Sequence, residues 1–270
     1  MKNNTLAACL ALALAALPGY ASADGLGALA WSKLARQLAA GDCAGAVKVL
    51  NADLAEKSPQ AYLLAGSMYE HGACVRRDWK RAMGFYVQAH DGGQPAAALR
   101  LAAGFAAPEN GPDIAAAIWW AGRSQEIIID CGIGPIDDPE RFVELLRGWS
   151  KPRLEHCNYV IGVMSTIAGE VQYPPRAILY GADLDMTLRF LPAVPAFEVK
   201  MGKAAQFQVL GVPNYDRPLN ERAAKAVAAE FQHTIRQLAI RAVARYPQPA
   251  GIDPQSAVLL QLKFNVEKKL

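Results

Sequence analysis

Part of this chain is written more than once. Ala61, Ala65, Gly66 and Tyr69 recur as Ala97, Leu101, Ala102 and Phe105, each 36 residues on. Gly41-Asp42 and Ala46 anticipate Asp78 and Ala82 at the same offset, and Asp113 with Ala117 follows at 35. A period of that length constrains the fold more tightly than composition does. Each unit reads as helix, short turn, helix. Small residues sit where two helices approach closely, and Leu, Tyr, Phe and Trp fill the spaces beside them. One such hairpin cannot bury its apolar face alone, so the units are expected to stack as an α/α solenoid over residues 24–125.

Within residues 61–93 the pattern becomes specific. Tyr69, Gly72, Val75, Asp78, Ala82, Tyr86, Ala89 and Gly93 occur in the order of a known motif. The segment resembles the Sel-one-like (SLR) subfamily of tetratricopeptide-type repeats. Cys74 stands for the second Gly of that motif, Arg81 for its Lys, Phe85 for its Trp and His90 for its second Ala. The next unit, about 96–124, carries Trp119-Trp120 near the aromatic pair, and the one before, about 27–56, is degenerate. The resemblance implies a helical scaffold that binds protein or peptide.

Past residue 172 the period changes to two. Leu184, Met186, Leu188 and Phe190 alternate with Asp183, Asp185, Thr187 and Arg189, the mark of a half-buried strand. Phe197, Val199 and Met201, then Phe207 and Val209, repeat the alternation, as do Leu260, Leu262, Phe264 and Val266. Between them Leu219, Ala223, Val227, Phe231, Ile235, Leu238 and Ala242 form one helical stripe. Strands, one long helix and a final strand predict an α+β unit with the helix against one sheet face.

This order is similar to the C-terminal domain of TonB-type energy transducers, over about residues 159–270. Tyr173-Pro174, Ala177, Gly181, Asp183 and the strand ending in Arg189-Phe190 carry the likeness, with Leu219–Val227 and the last strand. Leu184 replaces the second Gly of that pattern, and residues 191–196 hold Pro192 and Pro195 instead of an Asp-Gly turn. The resemblance implies binding by strand addition at the last strand, Val258 to Glu267, through Leu260, Gln261, Leu262, Lys263 and Phe264. A homodimer through the same domain is the alternative use of that edge.

Residues 126–158 read as a linker with a helix. Cys131-Gly132-Ile133-Gly134-Pro135 is rich in turn formers, and Asp138 caps a helix that has Pro139 in its first turn. Capping explains Asp137, Asp138 and Glu140 better than a calcium site does. A second helix is expected from about Asn158 to Val171.

Residues 1–23 read as a cleavable signal peptide. Lys2 precedes an apolar run from Leu6 to Leu17, and Ala21-Ser22-Ala23 fits the cleavage rule. The run is well short of the roughly 20 residues that span a bilayer. Export, to the periplasm, leaves Cys43, Cys74, Cys131 and Cys157 in the mature chain. An even count in an exported chain favours disulfides. Of the three pairings, Cys43–Cys74 with Cys131–Cys157 is preferred, because each bond then stays within one stretch of structure. A metal site using His156 and Cys157 is the rival, but it lacks a CxxC pair.

The formal net charge is only +3, and no basic stripe with interleaved aromatics is present, which argues against a nucleic-acid partner. The sequence contains no GxSxG, SxxK, HExxH, Walker loop or GxGxxG. No cofactor, catalytic residue or metal ligand is assigned. The expected function is non-enzymatic: a periplasmic scaffold that binds a periplasmic or outer-membrane protein. A TonB-system component touching outer-membrane receptors is the alternative.

Overall fold

The computed structural model describes residues 33–34, 36–124, 131, 137–171, 184–202 and 217–264. The signal segment, the stretch from Tyr173 to Asp183, the alternation at Phe207 and Val209, and the strand beyond Phe264 lie outside the described residues.

The chain forms α1 (Cys43–Ala55), α2 (Pro59–His71), α3 (Trp79–Asp91), α4 (Pro95–Ala106) and α5 (Ile114–Ala121). It continues through α6 (Pro139–Arg147), α7 (Lys151–Glu170), β1 (Leu184–Leu191), β2 (Ala196–Met201), α8 (Arg217–Arg245) and β3 (Val258–Phe264). It is therefore a helix-rich α+β protein with a small antiparallel sheet. Among the described residues no helix is long and apolar enough to cross a membrane.

The recurring aspartates do one job. Asp42, Asp78 and Asp113 are the N-caps of α1, α3 and α5, and each accepts from the backbone N–H three residues on, at Gly45, Arg81 and Ala116. Each thus satisfies a donor that a helix start leaves bare. The alanines four residues on, Ala46, Ala82 and Ala117, are all fully buried. Asp138 caps α6 in the same manner, accepting from Glu140 and Arg141.

Gly66 and Gly162 serve another shared device. A Cβ on Gly66 would run into the ring of Tyr86, and one on Gly162 into the ring of Tyr246. Each tyrosine ring fills the space beside its glycine, and its hydroxyl bonds a side chain one turn further along the glycine's helix: Glu70 at 2.6 Å, Thr166 at 2.8 Å.

α7 begins at Lys151, earlier than its apolar run suggests, because Pro152 is tolerated in the first turn. Its residues 159–170 are all buried. Its most extensive contact is with α4, and it also meets α5 and α8. One core runs from Leu99 and Ala102 of α4 through Tyr159 and Met164 of α7 to Leu188 of β1 and Phe231 of α8.

The sheet order is β2-β1-β3. Met186, Leu188, Phe190, Leu260 and Leu262 are buried against the helices, while Leu259 on the opposite face is 58% exposed. β1 and β2 join through residues 192–195, and Phe190 stacks on Phe197 across the pair at 4.6 Å.

Candidate interaction surfaces and a buried ionic cluster

Among the described residues the sheet has two outer edges, one on β2 and one on β3. The Gly202 N–H donates to the Asp185 carbonyl at 2.7 Å. In an antiparallel pair a residue turns both its N–H and its C=O to the same side. Asp185, Thr187 and Arg189 therefore face β2, and Met186, Leu188 and Phe190 face β3, opposite Leu262, Leu260 and Val258. The alternation continues across β3. Its even-numbered residues, Leu260, Leu262 and Phe264 included, bond β1. The main-chain groups of Leu259, Gln261 and Lys263 point away from the sheet.

The repeat-motif residues occupy the helical half. Gly72 ends α2 with φ 70°, a left-handed turn that glycine adopts without strain. Tyr69 is half-buried and stacks with Phe85. Ala82 and Tyr86 are fully buried between α2 and α3. Trp119 lies under the Arg123 guanidinium at 3.3 Å, and Trp120 makes a T-shaped contact with His90. Both tryptophans are partly buried against the core.

Cys43 is bonded to Cys74 and Cys131 to Cys157, with Cα atoms 5.0 and 5.8 Å apart. The first bond ties the α2–α3 loop to the start of α1. The second ties α7 to the segment before α6. His156, whose pKa burial pushes down, thus stands beside a disulfide and not a free thiol. It lines a surface depression with Pro152, Arg153 and the loop 250–256.

Where α2, α4, α7 and the end of α8 meet lies a cluster of buried charges. Arg100 of α4 is 1% exposed. Its Nη1 donates to Glu170 Oε1 at 3.0 Å and lies 3.7 Å from Glu70 Oε2. Arg245, the last residue of α8, reaches Glu70 Oε1 and Glu109 Oε1, both at 2.9 Å. Tyr86 donates to Glu70 Oε2, and His71 Nε2 lies 3.9 Å from both Glu70 and Glu170. Arg77 adds bonds to the Glu70 carbonyl and Asn110. Tyr246 closes the junction by donating to the Ala103 carbonyl at 2.9 Å.

A charge taken out of water is costly unless it is paired and hydrogen-bonded. Burial would raise the Glu70 carboxyl, but His71, Arg245 and Arg100 and the Tyr86 hydroxyl outweigh it and hold the pKa at about 2. Burial would lower the Arg100 guanidinium, while Tyr86, Glu170 and Glu70 hold it above its ordinary value. Burial pushes the Tyr246 hydroxyl up, so it stays protonated as a donor. With its groups paired to one another, the cluster ties the end of α8 to α2, α4 and α7.

Sequence reasoning passes over Glu70, Arg100, Glu170 and Arg245. Two weak signals mark them. Arg100 is the sole charge in α4, and Glu170 follows the uncharged run Cys157–Gly169.

No family model matches the chain, and no curated protein and no solved structure matches it either.

Proposed function

We propose that this is a non-enzymatic interaction protein of the periplasm, which receives an extended segment of a partner protein along the outer edge of β3. The carrying observation is the outward-facing main chain of Leu259, Gln261 and Lys263, derived from the β1 register. A partner strand there would gain main-chain hydrogen bonds, which supply affinity in strand addition. The helical half then serves as a scaffold that fixes the sheet through the buried cluster.

Three further observations support this reading. The shared capping role of Asp42, Asp78 and Asp113 and the shared burial of Ala46, Ala82 and Ala117 favour stacked Sel-one-like units. Two strands, a 29-residue helix and a third strand on one sheet favour a TonB-like C-terminal unit. Two disulfides favour an oxidising, extracytoplasmic compartment.

The test uses a partner captured by the mature chain from periplasmic extract and then purified. Gln261→Pro removes an outward N–H without breaking a bond to β1. It should weaken binding about tenfold, the equivalent of roughly 1–2 kcal/mol of lost hydrogen bonding, with the circular dichroism spectrum unchanged. Undiminished binding by a folded Gln261→Pro protein would overturn strand addition at β3.

A further inference from the structure

The helical half carries a second surface, unconnected with the strand edge. A groove of about 310 Å³ is lined by Tyr69, Arg81, Gly84, Phe85 and Gln88. That is near the lower end of the roughly 300–1,000 Å³ of ligand sites. Its floor is aromatic. Phe85 stacks on Tyr69 at 5.7 Å and on Tyr62 at 6.4 Å, and all three rings are only half-buried. Gly84 is an exposed residue in the middle of α3, and a Cβ there would meet nothing within 4 Å. Glycine in a helix interior costs about 1 kcal/mol relative to alanine, and no neighbouring atom demands that cost here. What the missing side chain does is keep the groove open.

The rim is cationic. Between Gly72 and Ala89 the sequence has Arg76, Arg77, Lys80 and Arg81 against the single acid Asp78. Arg77 turns inward to the Glu70 carbonyl and Asn110. Asp78 is engaged in capping α3, 3.5 Å from Arg81 Nε. Arg76 and Lys80 are exposed, and Lys80 stands one helical turn before Gly84. Arg81 hangs over the Tyr69 ring with 66% of its side chain in solvent. The Cys43–Cys74 bond pins the adjoining loop to α1, so the surface is organised in advance.

We propose that this groove docks a short segment of a partner protein in which an acidic residue neighbours an aromatic or aliphatic one. The apolar side chain lies on the Tyr69–Phe85 floor over Gly84, and the carboxylate is held by Arg81 and Lys80. A charge-assisted bond and a covered aromatic face are complementary to what the groove offers. The proposal rests on the reading of this chain as a protein-binding one, but it uses a different half of the molecule.

The experiment selects a phage-displayed library of random heptapeptides against the disulfide-intact mature chain. Binding of the selected synthetic peptide is then measured for the wild type, Gly84→Leu, Arg81→Met and Gln261→Pro. Both groove positions are exposed, so the variants should keep the wild-type circular dichroism. The expected peptides pair Asp or Glu with a neighbouring aromatic or aliphatic residue. Gly84→Leu and Arg81→Met should each weaken binding at least tenfold, and Gln261→Pro should leave it unchanged. Selection of no binder, selection of peptides without an acid, or full binding by Gly84→Leu would overturn the proposal. Binding lost in Gln261→Pro and kept in Gly84→Leu would assign the peptides to β3 and reject the groove while sparing strand addition.

Discussion

Replacing Glu70 with glutamine probes the point where α2, α4, α7 and α8 meet. The substitution keeps the shape of the side chain and an acceptor for Tyr86, and removes one buried negative charge. Arg245 then loses its partner at 2.9 Å, Arg100 one at 3.7 Å and His71 one at 3.9 Å. Holding the carboxyl at about 2 instead of 4.5 corresponds to about 3 kcal/mol. Removing one member of a buried pair costs roughly 3–5 kcal/mol in general. Here Arg100 keeps Glu170 and Arg245 keeps Glu109, which argues for the low end, about 2–3 kcal/mol. At roughly 2–4 °C per kcal/mol for a chain of this size, the thermal midpoint should fall by about 5–10 °C. Urea unfolding of the oxidised protein, followed by tryptophan fluorescence and circular dichroism, measures the free energy. Arg245→Met and the double variant complete a cycle, and the two changes should be non-additive by at least about 1 kcal/mol. A Glu70→Gln cost below about 1 kcal/mol, or strict additivity with Arg245→Met, would refute the assignment of the cluster as a tie on α8.

Two other outcomes follow from the same geometry. The Glu70 carboxyl is depressed in the folded state, so its contribution is present above about pH 4.5 and is lost as pH falls toward 2; the urea midpoints of wild type and Glu70→Gln should converge over that window. Matched alanine substitutions should have opposite signs: Gly84→Ala stabilises by up to about 1 kcal/mol because its Cβ enters open space, whereas Gly162→Ala destabilises because its Cβ meets the Tyr246 ring, and equal effects in thermal melts would contradict the packing described.

What could be read from the sequence was local. Asp138 is legible as a cap because a cap needs only a backbone N–H two or three residues on; Asp42, Asp78 and Asp113 are legible as a recurrence, whose shared capping role the structure supplies. The five described stripe positions of α8, Val227 to Ala242, are buried because a helical period fixes one face. The start of α7 is harder, since Lys151-Pro152-Arg153 reads as a loop unless proline's tolerance in a first helical turn is invoked. The buried cluster joins residues 70, 100, 170 and 245, which no periodic pattern connects; only the fold brings α2, α4, α7 and α8 to one point. The alternation in β3 fixes which side chains face the core. Which main-chain groups remain outside depends on β1 being the central strand, a fact of topology.

The proposed partner strand adds at the outer edge of β3. Residue-resolved amide hydrogen exchange by NMR measures this directly, in the free protein and with the captured partner. In the free protein the amides of Leu259, Gln261 and Lys263 should exchange fast, while those of Leu260 and Leu262, bonded to β1, exchange slowly. Partner binding should slow the first set and leave the second unchanged. Protection of Gln261 and Lys263 already in the free protein, or no protection gained in the complex, would contradict strand addition at this edge.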